Sequence, residues 1–128
     1  MNALEVVRRA FADYVSAGPL AADPRWWDED LVLDEGDVFP DSLVVRGRGA
    51  VAQRLEDRHV LAGGRSLRLV DLEDLGDGRV LIQLSLNAVG RASGAAFAFD
   101  WWLLVWVRDG RIARLRDFPD RESAGAAV

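Results

Sequence analysis

Cysteine is absent from this chain of 128 residues. That excludes disulfide staples, thiol catalysis and cysteine-ligated zinc, and it fits a reducing cytoplasm, the expected location. Lysine is absent too, so all 16 basic residues are arginine, which reads as the codon bias of a GC-rich bacterial genome. A single histidine, His59, excludes a multi-histidine metal site. No apolar run reaches membrane-spanning length, and Met1-Asn2-Ala3-Leu4-Glu5 lacks the layout of a signal peptide, so no membrane partner is expected. The net charge of −5 argues against a nucleic-acid partner. Gly47-Arg48-Gly49 is not a dinucleotide fingerprint, and phosphate-loop and Gly-x-Ser-x-Gly motifs are missing, so no cofactor is expected. Residues 28–41 hold seven carboxylates without the alternating calcium-loop pattern, and no metal is expected there either.

What is present suits one domain over residues 1–128, with residues 123–128 as a frayed tail: half the residues are hydrophobic and five are tryptophan. Leu4, Val7, Phe11, Tyr14 and Val15 form the apolar stripe of a helix over Ala3 to Ala17, ended by Gly18-Pro19. Short strands are expected at Leu31 to Leu33 and around Val44-Val45, and a second helix at Ala50 to Leu61. From Leu67 the pattern is strand, turn, strand, with long strands at Arg79 to Val89, Phe97 to Arg108 and Arg111 to Phe118. The fold class is therefore α+β: a curved antiparallel sheet wrapped over N-terminal helices, a cone with an apolar pocket.

Hydrophobic alternation fixes the registers, because a one-residue slip swaps faces. Pairing Leu86 with Phe99, Leu84 with Trp101 and Ile82 with Leu103 makes one face wholly apolar. The other face then carries Gln83, Ser85, Asn87, Asp100, Trp102, Leu104 and Trp106, a mixture suited to a homodimer contact through the outer sheet. A three-residue Arg108-Asp109-Gly110 type loop puts Ala113, Leu115 and Asp117 on the apolar face and Ile112, Arg114, Arg116 and Phe118 opposite. A two-residue loop would drive Arg114 and Arg116 into the apolar face.

Leu4-Glu5-Val6-Val7-Arg8-Arg9-Ala10-Phe11, Phe39-Pro40-Asp41-Ser42, Arg46-Gly47-Arg48-Gly49-Ala50-Val51, Arg108-Asp109-Gly110-Arg111-Ile112 and Asp120-Arg121-Glu122 together resemble the SnoaL-like group of the nuclear transport factor 2-like superfamily. The resemblance runs from about Ala3 to Glu122 and implies a conical pocket and a homodimer through the sheet. Such proteins include ketosteroid isomerases, polyketide cyclases, epoxide hydrolases, dehydratases and non-catalytic modules, so fold alone does not assign activity. In the isomerases a carboxylate base works with a tyrosine and a protonated aspartic acid. The resemblance carries the base to Asp34 and the tyrosine to Tyr14. The acid, and the histidine of SnoaL-like relatives, fall at Leu103, which donates no hydrogen bond, and the first-strand glutamate falls at Val32.

The candidate catalytic residues are accordingly Asp34 and Asp117 as bases and Tyr14 as a donor. Asp34 stands at the pocket mouth, while Asp117 is the acid that register places inside. Their ordinary alternatives are a solvated loop acid and a strand-end acid paired with arginine. Tyr14 is otherwise a core aromatic. Glu35, Asp37 and Asp41 read as loop acids. Trp27, Phe97, Phe99, Trp101 and Leu103 would line the pocket or fill the core, and His59 is a base candidate or a cation at a helix end. The expected function is binding of a small hydrophobic or polyketide-like molecule with cofactor-free acid–base chemistry of isomerase, cyclase or hydrolase type. The alternative is a non-catalytic binding or dimerisation module.

Overall fold

A computed structural model describes residues 1–61, 66–89 and 94–128. Helix α1 (Ala3–Ala17) starts where the Asn2 side chain accepts the Glu5 amide at 2.9 Å, and it stops at Gly18, whose N–H caps the Tyr14 carbonyl. Its buried stripe is Val6, Val7, Ala10, Phe11 and Tyr14. The Asp13 carboxylate accepts the Asp23 amide at 2.7 Å and so ties the helix end to a 3-10 turn, Pro24–Trp26. Strand β1 (Trp27–Asp34) leaves that turn, four residues earlier than Leu31 suggests. Then follow β2 (Val44–Arg46), α2 (Arg48–Leu61), β3 (Ser66–Gly76), β4 (Arg79–Val89), β5 (Ala96–Arg108), β6 (Arg111–Phe118) and α3 (Arg121–Ala126).

The six strands form one curved sheet in the order β2-β1-β6-β5-β4-β3. All neighbours are antiparallel except β1 and β6, which run parallel, so the sheet is mixed where a wholly antiparallel one was expected. Local turns announce hairpins. Nothing local announces the partner of a strand eighty residues upstream, and that is the pairing the pattern missed.

The β4–β5 register is the expected one: Leu86 faces Phe99, Leu84 faces Trp101 and Ile82 faces Leu103. The last hairpin differs. Arg108 pairs with Arg111 around a two-residue turn in which Asp109 and Gly110 both have positive φ (53° and 77°), the primed geometry that follows strand twist. A bulge at Ala113 then shifts the register between Trp106 and Val107. Leu115 and Asp117 therefore face inward as expected, but Ile112 joins them, fully buried, and Ala113 is the inserted residue. The bulge permits the shorter turn without pulling Arg114 and Arg116 into the core.

Two apolar clusters result. Ile82, Leu84, Leu103, Val105, Ile112 and Leu115 pack under α1 on the inner face, with Val51 of α2. On the outer face Leu81, Leu104 and Phe118, flanked by Leu75, Trp102 and Trp106, close over Ala124 of α3. The tail expected to fray is thus a helix capped by Asp120, whose side chain accepts the Ser123 amide at 2.7 Å. No helix among the described residues is long and apolar enough to cross a membrane.

Candidate functional site

The alternation Leu31, Leu33 continues inward to Glu35, not to Asp34. Glu35 is completely buried. Its amide donates to the Leu43 carbonyl at 3.0 Å and its Oε1 accepts the Leu43 amide at 3.0 Å, which closes the loop 35–43 on itself. Two arginines one turn apart on α2 reach the same carboxylate. Arg54 donates from Nε at 3.0 Å and Nη2 at 2.8 Å to Oε1, and Arg58 donates from Nε to Oε2 at 2.5 Å. Both guanidinium groups also meet the Asp41 carboxylate, at 3.5 and 3.3 Å. Burial pushes the Glu35 carboxyl up, but hydrogen bonds from Arg58, Arg54 and the Leu43 amide outweigh it and hold Glu35 below its ordinary value. It is a permanent, paired anion, and Glu35 and Asp41 are not free loop acids.

The ring of Phe39 lies 3.6 Å beneath the Arg58 guanidinium. Ser42 fixes that ring's backbone, accepting the Phe39 amide at 3.0 Å and donating to the Phe39 carbonyl at 2.8 Å. Phe39 continues into Phe99 (centroids 6.1 Å apart), which stacks on Trp101 at 5.5 Å. An aromatic wall thus runs from the arginine pair to Asp117.

Asp117 faces inward opposite Leu103 and is 7 % exposed. The Trp101 indole donates a hydrogen bond to it. Burial, first, and then the charge of Glu35 raise its carboxyl to about 7; the Asp34 charge adds to this, while Arg58 and the Trp101 hydrogen bond oppose it. Gly36 stands against it at φ 55°, where an added Cβ would sit 3.0 Å from the Asp117 carbonyl oxygen. Gly36 and Asp117 also border a cavity of about 450 Å³ that extends to Arg116 and α3.

The other candidates separate from this centre. Asp34 points to the opposite face, where its carboxylate accepts the Gly36 amide at 2.9 Å and pairs with Arg114 at 3.6 Å. Tyr14 and Trp27 lie together, rings 6.2 Å apart, against a different cavity between α1, β1 and α2. Leu103 is core. The side chains of His59 and Phe97 lie outside the described residues. Pattern reading missed Glu35, Arg54 and Arg58. Their signal was present: Glu35 continues the period of two from Leu31, and Arg54 and Arg58 share a helix face.

No family profile and no curated protein matches the sequence. Solved structures do match in shape. An NTF2-like protein from Burkholderia thailandensis superposes with a TM-score of 0.77 at 19 % identity, covering 99 % of this chain and 97 % of its own. The chain has the nuclear transport factor 2-like fold. A candidate SnoaL-like polyketide cyclase from Mesorhizobium loti matches at TM-score 0.67 and 15 % identity, over 92 % of this chain and 99 % of its own. A protein of ketosteroid isomerase-like fold from Catenulispora acidiphila, in complex with trimethylamine, matches at 0.72 and 15 %, over 95 % and 90 %. At these identities the likeness establishes the nuclear transport factor 2-like architecture and leaves chemistry to the residues.

Proposed function

We propose that this chain binds a small hydrophobic or polyketide-like molecule against the Phe39–Phe99–Trp101 wall and that Asp117 moves a proton on it. The supporting observation is the state of Asp117, a buried acid raised to about 7 and oriented by the Trp101 indole. Such an acid is present in both protonation states at neutral pH, as a general base and acid requires. Glu35 stays charged between its arginines and holds the proton on Asp117, a positioning role. The charge of Asp34 acts in the same sense from the other face. Ketone or enol substrates suit a buried carboxyl of this acidity: the base takes a proton from the carbon next to the carbonyl and returns it elsewhere. The isomerase- and cyclase-type fold relatives are compatible with that class.

The test is deuterium exchange at the α-carbon of 2-cyclohexenone and of a hydroxynaphthoquinone, followed by NMR. Exchange should follow an acid titrating about 7, and Asp117→Asn should slow it by roughly 100-fold or more. Saturable binding with no exchange would instead support a non-catalytic binding module, the reading favoured by Leu103 standing where fold relatives place a proton donor. Absence of both would reject the site. The outer face around Trp102 and Trp106 is proposed as the contact of a homodimer, checked by sedimentation equilibrium of the wild type against Trp102→Arg.

A further inference from the structure

A second cavity, of about 230 Å³, lies between the end of α1, the 3-10 turn, β1 and the opening turns of α2. Tyr14, Trp27, Leu31, Val51 and Leu55 make its apolar lining, and Arg48 supplies a cation. It stands at the start of β1, where Trp27 pairs with Ile112, whereas Asp117 lies five residues further along β6. At roughly 3.3 Å per residue, that separation is about 16 Å.

Two polar groups on residues that line this cavity have capacity left over. The Trp27 indole nitrogen is buried and has no hydrogen-bond partner among the described residues, in a side chain only 6 % exposed. A buried donor left unpaired is destabilising, and native interiors rarely keep one. Arg48 uses one nitrogen, Nη1, on the carbonyls of Trp27 (3.1 Å) and Pro24 (3.4 Å). It meets no carboxylate among the described residues, so its charge and its other donors are free. The acids nearby in sequence are engaged elsewhere: Asp23 pairs with Arg25 at 2.7 Å, and Asp13 accepts the Asp23 amide at 2.7 Å. The first turn of α2 carries no acidic side chain. Leu20, 59 % exposed, stands at the rim and leaves a way in from solvent.

A guanidinium with unused donors beside an apolar cavity is complementary to an oxyanion on an apolar body. The volume equals roughly eight waters at ~30 Å³ each, which suits one ring and not a fused polycycle. We propose that this cavity binds a small monocyclic carboxylate, its ring among Tyr14, Trp27, Leu31, Val51 and Leu55 and its oxygens accepting from Arg48. The site is independent of the acid–base reading of Asp117.

Benzoate is the probe, with benzyl alcohol as its neutral counterpart, and the readout is the side-chain N–H resonances of Trp27 and Trp101 in one ¹H–¹⁵N spectrum. Benzoate should shift Trp27 saturably and leave Trp101 in place, and benzyl alcohol should bind at least 10-fold more weakly. Arg48→Gln should weaken benzoate binding by 10-fold or more, with Arg48→Lys recovering part of it. The wild-type titration stands even if either variant proves unstable. The proposal is overturned by a shift at Trp101 alone, by equal binding of the alcohol, or by no saturable shift at millimolar benzoate.

Discussion

Glu35 lies level with Asp117 across the parallel β1–β6 pair, since Leu33 is opposite Leu115 and Asp34 opposite Arg116. One carboxylate receives two guanidinium groups, the other an indole N–H. Like charges in adjacent positions are driven apart in acidity. That difference creates a permanent anion and a titrating acid side by side.

Stability should therefore fall as the solution passes from acid to neutral. Asp117 is raised from 3.8 to about 7. Between these values the native state holds a proton that the unfolded chain has released, so unfolding stability declines with pH across that window and levels off above it. The contribution is about 4 kcal/mol at most, at 1.36 kcal/mol per unit. Glu35 works with the opposite sign: its carboxyl is held below the ordinary 4.5, so its contribution is present above that value and lost as pH falls beneath it. Urea midpoints from pH 4 to 8 should decline for the wild type, and Asp117→Asn should flatten the decline.

Neutralising the two partners of the Glu35–Arg58 bond should move Asp117 in opposite directions. Glu35→Gln removes a repelling charge and lowers the Asp117 titration, whereas Arg58→Met removes an attracting charge and raises it. Both variants should be destabilised, Glu35→Gln by about 3 kcal/mol or more, because a buried pair broken on one side leaves buried charges uncompensated. Carbon-detected titration of Asp117, with urea unfolding alongside, separates the two effects.

Alternation makes the inner face legible in the sequence: Phe99, Trp101, Leu103, Leu115 and Asp117 lie where a period of two puts them. The same rule, continued past Leu33, points to Glu35, but a loop rich in acids masked it. Asp34 and Tyr14 came from resemblance, and the side-chain geometry turns Asp34 toward Arg114 and sets Tyr14 beside Trp27. The parallel partner of β1 and the bulge at Ala113 were illegible because each depends on how distant strands meet. Glu35, Arg54 and Arg58 converge from β1 and α2 for the same reason: tertiary approach, not local pattern, brings them together.

Deleting Ala113 tests the bulge. Without the extra residue the ladder runs on unbroken from the Asp109-Gly110 turn, Ile112 opposite Val107, Arg114 opposite Trp106 and Leu115 opposite Val105, so every side chain keeps its face. The deletion should still fold cooperatively, at a cost of about 2 kcal/mol or less from the lost local twist. Ala113→Gly, which keeps the count, should cost only about 1 kcal/mol. Urea denaturation of the two variants gives the comparison, and loss of cooperative folding on the deletion alone would contradict the role assigned to the inserted residue.

The last helix should prove structural. Ala124 has no exposed surface and sits over Leu104 and Phe118, so Ala124→Asp would place a carboxylate in that apolar contact. The cheapest response is undocking of α3, which uncovers the two large side chains and leaves Trp102 and Trp106 to solvent. A loss of about 2 to 3 kcal/mol is expected, with a red shift of tryptophan emission. The newly exposed apolar patch should also increase self-association, measured by sedimentation equilibrium. Unchanged emission and stability would mean that α3 covers nothing of consequence. Shifted emission with an unchanged oligomeric state would show that the patch uncovered from beneath α3 does not attract a further copy.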